Sequence, residues 1–146
     1  MEYRIQGLDT REFMLVSLPR VPEGESLPIL PVIQYGVRLP QPEHLVIRLS
    51  IQGTHQESEV FRLVLDFFFK LEAPLEQNEA GQRVFPKEVA AHLGAVAYAS
   101  SRGVLHEKLR ETALRTFVLP SRNIIQEFPE DLLLNDPNAG PEPEAA

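Results

Sequence analysis

Apolar and polar residues alternate strictly through the middle of the chain. In 43–53, Leu45, Ile47, Leu49 and Ile51 fall on one face and Val46, Arg48, Ser50 and Gln52 on the other, which predicts a strand with one wet face. Beyond a polar connection, Thr54 to Ser58, the alternation resumes with Phe61, Leu63, Leu65, Phe67, Phe69 and Leu71 opposite Arg62, Val64, Asp66, Phe68 and Lys70. The two runs predict a long antiparallel hairpin. Upstream, Ile33, Tyr35, Val37 and Leu39 alternate with Gln34, Gly36 and Arg38 between Pro31 and Pro40, a third strand whose prolines suit an edge. Tyr3 and Ile5 alternate with Arg4 and Gln6 before Gly7 interrupts and the apolar run Phe13 to Val16 follows, a first strand bent or bulged near Gly7. The stretch LPRVPEGESLPILP between them, with four prolines and a glycine, predicts a long irregular connection.

From Pro86 the period changes. Proline in a first helical turn followed by KEVAAHLGAVAYASSRGVLHEKLRETAL predicts a helix of about 28 residues, with Pro120 as its outer limit. Its first half is almost free of charge between Val89 and Ser101, and Ala90, Ala91, Gly94, Ala95, Ala97 and Ala99 keep it slim. Such a segment needs cover on more than one side. A four-stranded sheet covers one, so a second subunit is expected on the other, with Val89, Leu93, Gly94 and Val96 at that interface. The later half, with Arg102, Glu107, Lys108, Arg110, Glu111 and Arg115, looks solvated. After LPSRN, the segment IIQEFPEDLLL predicts a short helix interrupted or restarted at Pro129. The fold class expected is therefore α+β: a four-stranded antiparallel sheet, one long helix and a short C-terminal helix. One domain spans 1–134, and the polar 135–146 reads as a disordered acidic tail.

Composition narrows the chemistry. Of 146 residues 43% are apolar, and 14 basic against 21 acidic side chains leave a net charge of −7. A chain of this length buries roughly two thirds of its unfolded surface and needs no staple. The absence of Cys excludes thiolate nucleophiles, Cys-ligated zinc and iron–sulfur clusters. The acidic balance argues against nucleic acid as the main partner. No long apolar run or signal-like N-terminus is present, so no membrane insertion is expected. The 13 prolines are uneven: six in 1–42, five in 120–146, and only Pro74 and Pro86 between, which makes the middle the scaffold.

No nucleophile elbow, dinucleotide fingerprint or phosphate loop occurs. His44, His55, His92 and His106 show no ligand spacing, and Ser100 and Ser101 diverge from His106 on a helix. No enzyme, cofactor or metal is expected. The run Phe67-Phe68-Phe69 puts Phe68 on the face away from the core stripe, beside Val64, where apolar groups need a cover: a subunit, the last helix, or unfolded chain segments.

This order of elements resembles the SecB export chaperone family. YRIQGLDTREFMLVS is similar to that family's opening strand, and HLVIRLSIQ with VFRLVLDFFFKL to its central hairpin. HLGAVAYASSRGVLHEKLRETAL, with Leu93-Gly94-Ala95 near its start, is similar to the main helix, and LPSRNIIQEF to the approach to its last helix. The resemblance implies an ATP-independent cytoplasmic homotetramer, a dimer of dimers, that holds unfolded polypeptide clients in apolar grooves and passes preproteins to the SecA motor. Leu30, Tyr35, Phe68, Ile124 and Phe128 are the client-binding residues expected, with 18–32 and 120–137 bordering the groove. Glu12 is the expected SecA contact; Val16 and Val64 stand where further contact positions would fall. The alternative is an adaptor dedicated to one partner, such as a toxin–antitoxin chaperone.

Overall fold

The computed structural model describes residues 2–16, 18, 25 and 27–137. Strands β1 (Tyr3–Leu15), β2 (Leu30–Gln41), β3 (His44–His55) and β4 (Ser58–Leu71) form one antiparallel sheet in the order β1-β4-β3-β2. The β3–β4 hairpin closes in two residues, Gln56 and Glu57, both with positive φ (51° and 66°). A right-handed strand twist favours that turn, although neither side chain does. Its strands run further than the predicted polar connection allowed, to His55 and from Ser58. The bend expected at Gly7 is a register shift between Ile5 and Gly7, and a second occurs between Thr10 and Glu12. Pro31 and Pro40 lie inside β2 rather than bounding it, which an edge strand tolerates because one row of its N–H groups has no ladder partner.

One face of the sheet is the core. Leu45, Ile47, Leu49 and Ile51 of β3 and Phe61, Leu63, Leu65, Phe67 and Phe69 of β4 are sealed from solvent, as the alternation predicts. Helix α1 (Lys87–Leu109) lies on that face and buries Ala90, Leu93, Ala97, Ser101, Leu105 and Leu109. The buried Ser101 hydroxyl donates to the Ala97 carbonyl at 2.6 Å, so it costs no orphaned polar group. The helix stops short of its predicted end. Thr112 Oγ1 donates to the Leu109 carbonyl and accepts from the Leu114 N–H, which offers the backbone a turn in place of the next helical bonds.

The C-terminal segment departs from expectation. Its short helix is a single 3-10 turn, Ile124–Glu127, started by the Asn123 side chain accepting from the Ile125 N–H. Leu132–Leu134 is a strand, β6, paired with the equally short β5 (Arg83–Phe85). Asp136 is buried and takes bonds from Gln77 and Arg83, so it is packed where a tail was expected to begin; 138–146 lie outside the described residues. The same segment caps α1 from a distance. Pro86 offers no cap side chain, and Asp131 Oδ1 accepts from the Lys87 N–H at 2.9 Å instead.

That segment also supplies part of the second cover that the slim helix requires. Ile124 and Phe128 are buried against it, and a Cβ at Gly94 would lie 2.7 Å from Phe128 Cε2 and 3.2 Å from Ile124 Cγ2. Leu93 and Gly94, expected at a subunit interface, are therefore spent within the chain: Leu93 on the core and Gly94 on the 3-10 turn. Val89 and Val96 are half-buried against the same core. Between its charged ends, α1 leaves His92, Ala95, Ala99 and Gly103 exposed.

Candidate functional site

The edge strand β2 and the C-terminal segment enclose an apolar furrow. On the helix side of β2 the pleat presents Ile33, Tyr35 and Val37, set opposite Ile51, Leu49 and Ile47 of β3. The Phe128 ring stands edge-on to Tyr35, with centroids 5.2 Å apart and planes at 66°. With Glu127 and Leu132–Leu134 these residues line a cavity of about 300 Å³. A second one, about 280 Å³, continues it past Val37, Leu39 and Pro40 to Asn135, sharing Leu133 and Leu134. Beside this furrow Ile125 and Leu133 stand in solvent, 71% and 54% exposed, while the exposed Leu30 and Val32 lie on the other face of β2.

Two features make the furrow more than a packing fault. The outer row of β2 backbone groups has no ladder partner among the described residues, since β2 bonds β3 alone and β6 bonds β5. The Tyr35 hydroxyl is buried with no hydrogen-bond partner among the described residues. Burial, helped by the nearby Glu127 carboxylate, pushes that phenol up to about 12, so it stays a protonated donor. An unpaired buried donor costs roughly 1–3 kcal/mol until something accepts from it. An extended chain laid beside β2 could pair with its edge, offer a carbonyl to Tyr35 and place an apolar side chain between Phe128 and Leu133.

The five residues expected to bind clients are only partly brought together. Tyr35 and Phe128 line the furrow, whereas Leu30 begins the strand that forms it but alternates onto the other face. Ile124 lies beneath, packed on Gly94. Phe68 is not there: it pairs with Val46 and Gly7 on the opposite face of the sheet, so it cannot meet Tyr35 within one chain. Leu132, Leu133 and Glu127 were missed, because LLL after a proline reads as a helix end and nothing local reveals that it pairs with β5. Residues 127, 128 and 132–134, within the segment 120–137, line the furrow; of 18–32, residues 19–24 and 26 lie outside the described residues.

Other chemistry does not converge. Ser101 is buried and bonded to Ala97, while His106 is exposed. The His92 ring stands edge-on to Tyr3 with centroids 5.4 Å apart, and His55 Nδ1 lies 2.9 Å from the Pro28 carbonyl. Among the described residues no group of three His, Asp or Glu could hold a metal ion, and no helix is long and apolar enough to cross a membrane. Glu12 stands on β1 on the face away from the helix, 3.8 Å from Arg62.

No family model matches the chain, and no curated protein matches it by sequence. A solved structure does. The SecB-like chaperone of Mycobacterium tuberculosis, in complex with a ChAD peptide from the HigA1 antitoxin, superposes with a TM-score of 0.59 at 14% identity, covering 82% of this chain and 90% of that one. The four-stranded sheet, the long helix and the short turn after it are the SecB-like fold.

Proposed function

We propose that this chain, which has the SecB-like fold, is a polypeptide-binding chaperone of the holdase type that takes extended apolar segments of non-native proteins beside β2. The observation that carries the reading is the furrow itself: an unpaired strand edge, an apolar trough and a buried hydroxyl with no partner among the described residues. Each is a vacancy that an extended peptide fills. Binding needs no nucleotide and no catalytic group, and the chain works without enzymatic chemistry or cofactor.

The structural neighbour's peptide, drawn from an antitoxin, supports a polypeptide client and equally a second reading, an adaptor dedicated to one partner. The two differ in breadth. Suppression of aggregation of several unrelated denatured proteins is expected of the holdase; activity toward none of them overturns it and leaves the adaptor. Leu133→Asp, which puts a charge into the furrow at an already exposed position, should abolish the suppression without unfolding the chain.

A cytoplasmic homotetramer is part of the same proposal. Ala95, Ala99 and Gly103 on α1, with Ile5 and Leu8 on β1, leave a slim apolar surface that a second copy would cover. Native mass spectrometry should give four chains. Hand-over to SecA in protein export rests on the family resemblance. Glu12, its one expected contact, lies near Arg62, and the loss of a co-purified SecA in Glu12→Lys would support that step.

A further inference from the structure

We propose that the face of the sheet away from α1 is a docking surface for an acidic polypeptide segment carrying an apolar residue, distinct from the furrow in occupant and on the opposite face of the sheet, the two adjoining at Arg38 and Pro40. The register places Arg4, Arg11, Arg38, Arg48, Arg62 and Lys70 on that face. Glu2, Glu43 and Glu72 stand around Arg4 and Lys70, and Glu12 and Glu59 beside Arg62, so both of those groups are balanced; at the centre Arg11, Arg38 and Arg48 meet only Asp9 and Asp66. At that centre cations outnumber acids, three to two, on a chain whose net charge is −7. The excess is concentrated by one residue. Asp66 is wholly buried beneath guanidinium groups: Arg48 reaches both its oxygens, at 2.8 and 3.0 Å, and Arg11 Nε donates at 2.8 Å. Arg38 stands 3.9 Å away with half its side chain in solvent. The carboxylate is spent inward and Asp9 also meets Arg11, at 3.3 Å, while the half-exposed guanidinium groups of Arg11, Arg38 and Arg48 keep further N–H groups as charged donors.

Beside this array lies an apolar pit. Val46 and Phe68 lie in a cavity of about 440 Å³ that Gln6, Arg38, Pro40 and His44 help to line. Phe68 thus has a use that the furrow does not give it: an anchor site flanked by cations. A peptide with Phe or Leu next to Asp or Glu matches both halves, the side chain entering the pit and the carboxylates meeting Arg38 and Arg11. Nucleic acid matches less well. Phe68 is the one aromatic residue on this face among the described residues, so no stacking ladder exists, and the chain as a whole repels phosphate.

The test uses the full chain and a short fluorescein-labelled peptide in which Phe and Leu are flanked by Asp and Glu, read by anisotropy. Saturable binding is expected, weakening as salt rises because partly exposed charges are screened. Arg38→Glu and, separately, Phe68→Ala should each weaken it at least tenfold; both replace partly exposed side chains and keep the closer Asp66 bonds to Arg11 and Arg48, and circular dichroism checks that they fold. Tyr35→Phe, at a furrow residue that shares no cavity with Arg38, should leave it unchanged, which separates this surface from the furrow. The proposal fails if a Lys-for-Glu version of the peptide binds equally, if an oligothymidylate binds as tightly, or if neither Arg38→Glu nor Phe68→Ala alters binding. It also fails if binding fades as protein concentration rises, which would mean that a second copy fills the face.

Discussion

The two faces of one sheet solve opposite problems with neighbouring residues. On the helix side, the positions of β3 and β4 are sealed, and what remains open is a furrow built by bringing residues 124–134 against an edge strand. On the other side no described element packs, and the surface is organised by a buried carboxylate that gathers arginines. Apolar contact is short-ranged and undirected, so the furrow depends on where a distant segment of chain comes to rest. The charged face depends on strand register alone, because Arg48 and Asp66 are directly opposite in the β3–β4 ladder.

Three predictions separate the two, and a fourth moves both together. Gly94→Leu should have the largest effect, about 3 kcal/mol, since a side chain there meets Phe128 and Ile124 and must displace the segment that walls the furrow. Chemical denaturation should register the loss, client binding should vanish, and acidic-peptide binding should persist. If both activities survive, the furrow has been misplaced.

Asp66→Asn should cost about 2 kcal/mol, less than a fully buried pair because its arginine partners are half exposed. Hydrogen bonds from Arg48, and next from Arg11, hold the Asp66 carboxyl below the usual carboxylate range, despite burial acting the other way. The folded form thus binds its proton more weakly than the unfolded chain does. Its contribution is present above roughly pH 4 and is lost as pH falls through the lower folded value. Thermal melts across that range should show a shallower acid slope for Asp66→Asn than for the parent chain, while furrow binding at neutral pH stays intact.

Asp131→Ala removes the distant cap of α1 and should cost about 1 kcal/mol, with a weaker furrow and an unaltered charged face. The smallest effect is a gain. Glu57→Gly relieves a positive φ in the β3–β4 turn and should stabilise both faces alike by about 0.5 kcal/mol, visible as a higher melting temperature.

Much of the fold is legible in the chain. The period-two runs of β3 and β4 need only one buried face to fix their strands, and the change of period at Pro86 starts the helix within a residue of its observed N-terminus. Phe68 was placed on the face away from the core by alternation alone. Its partners were not: alternation assigns a side chain to a face and says nothing of which strand lies alongside, and Tyr35 falls on the other face because Leu49 stands opposite it. Asp66 gave no local signal, since an Asp at an outward strand position looks solvated until Arg11, 55 residues away, closes over it.

The sequence by itself determined the strands, the helix, the edge character of β2 and the need for cover on the slim half of α1. Those follow from periodicity, proline geometry and the cost of exposing apolar surface, all of which act between near neighbours. Only the tertiary structure decided what supplies that cover, that Leu132–Leu134 would pair with Arg83–Phe85, and that Gly94 would serve Phe128 rather than a subunit. Contacts between residues far apart in the chain are chosen by shape and by competition among many similar apolar segments. No local pattern records which of them wins.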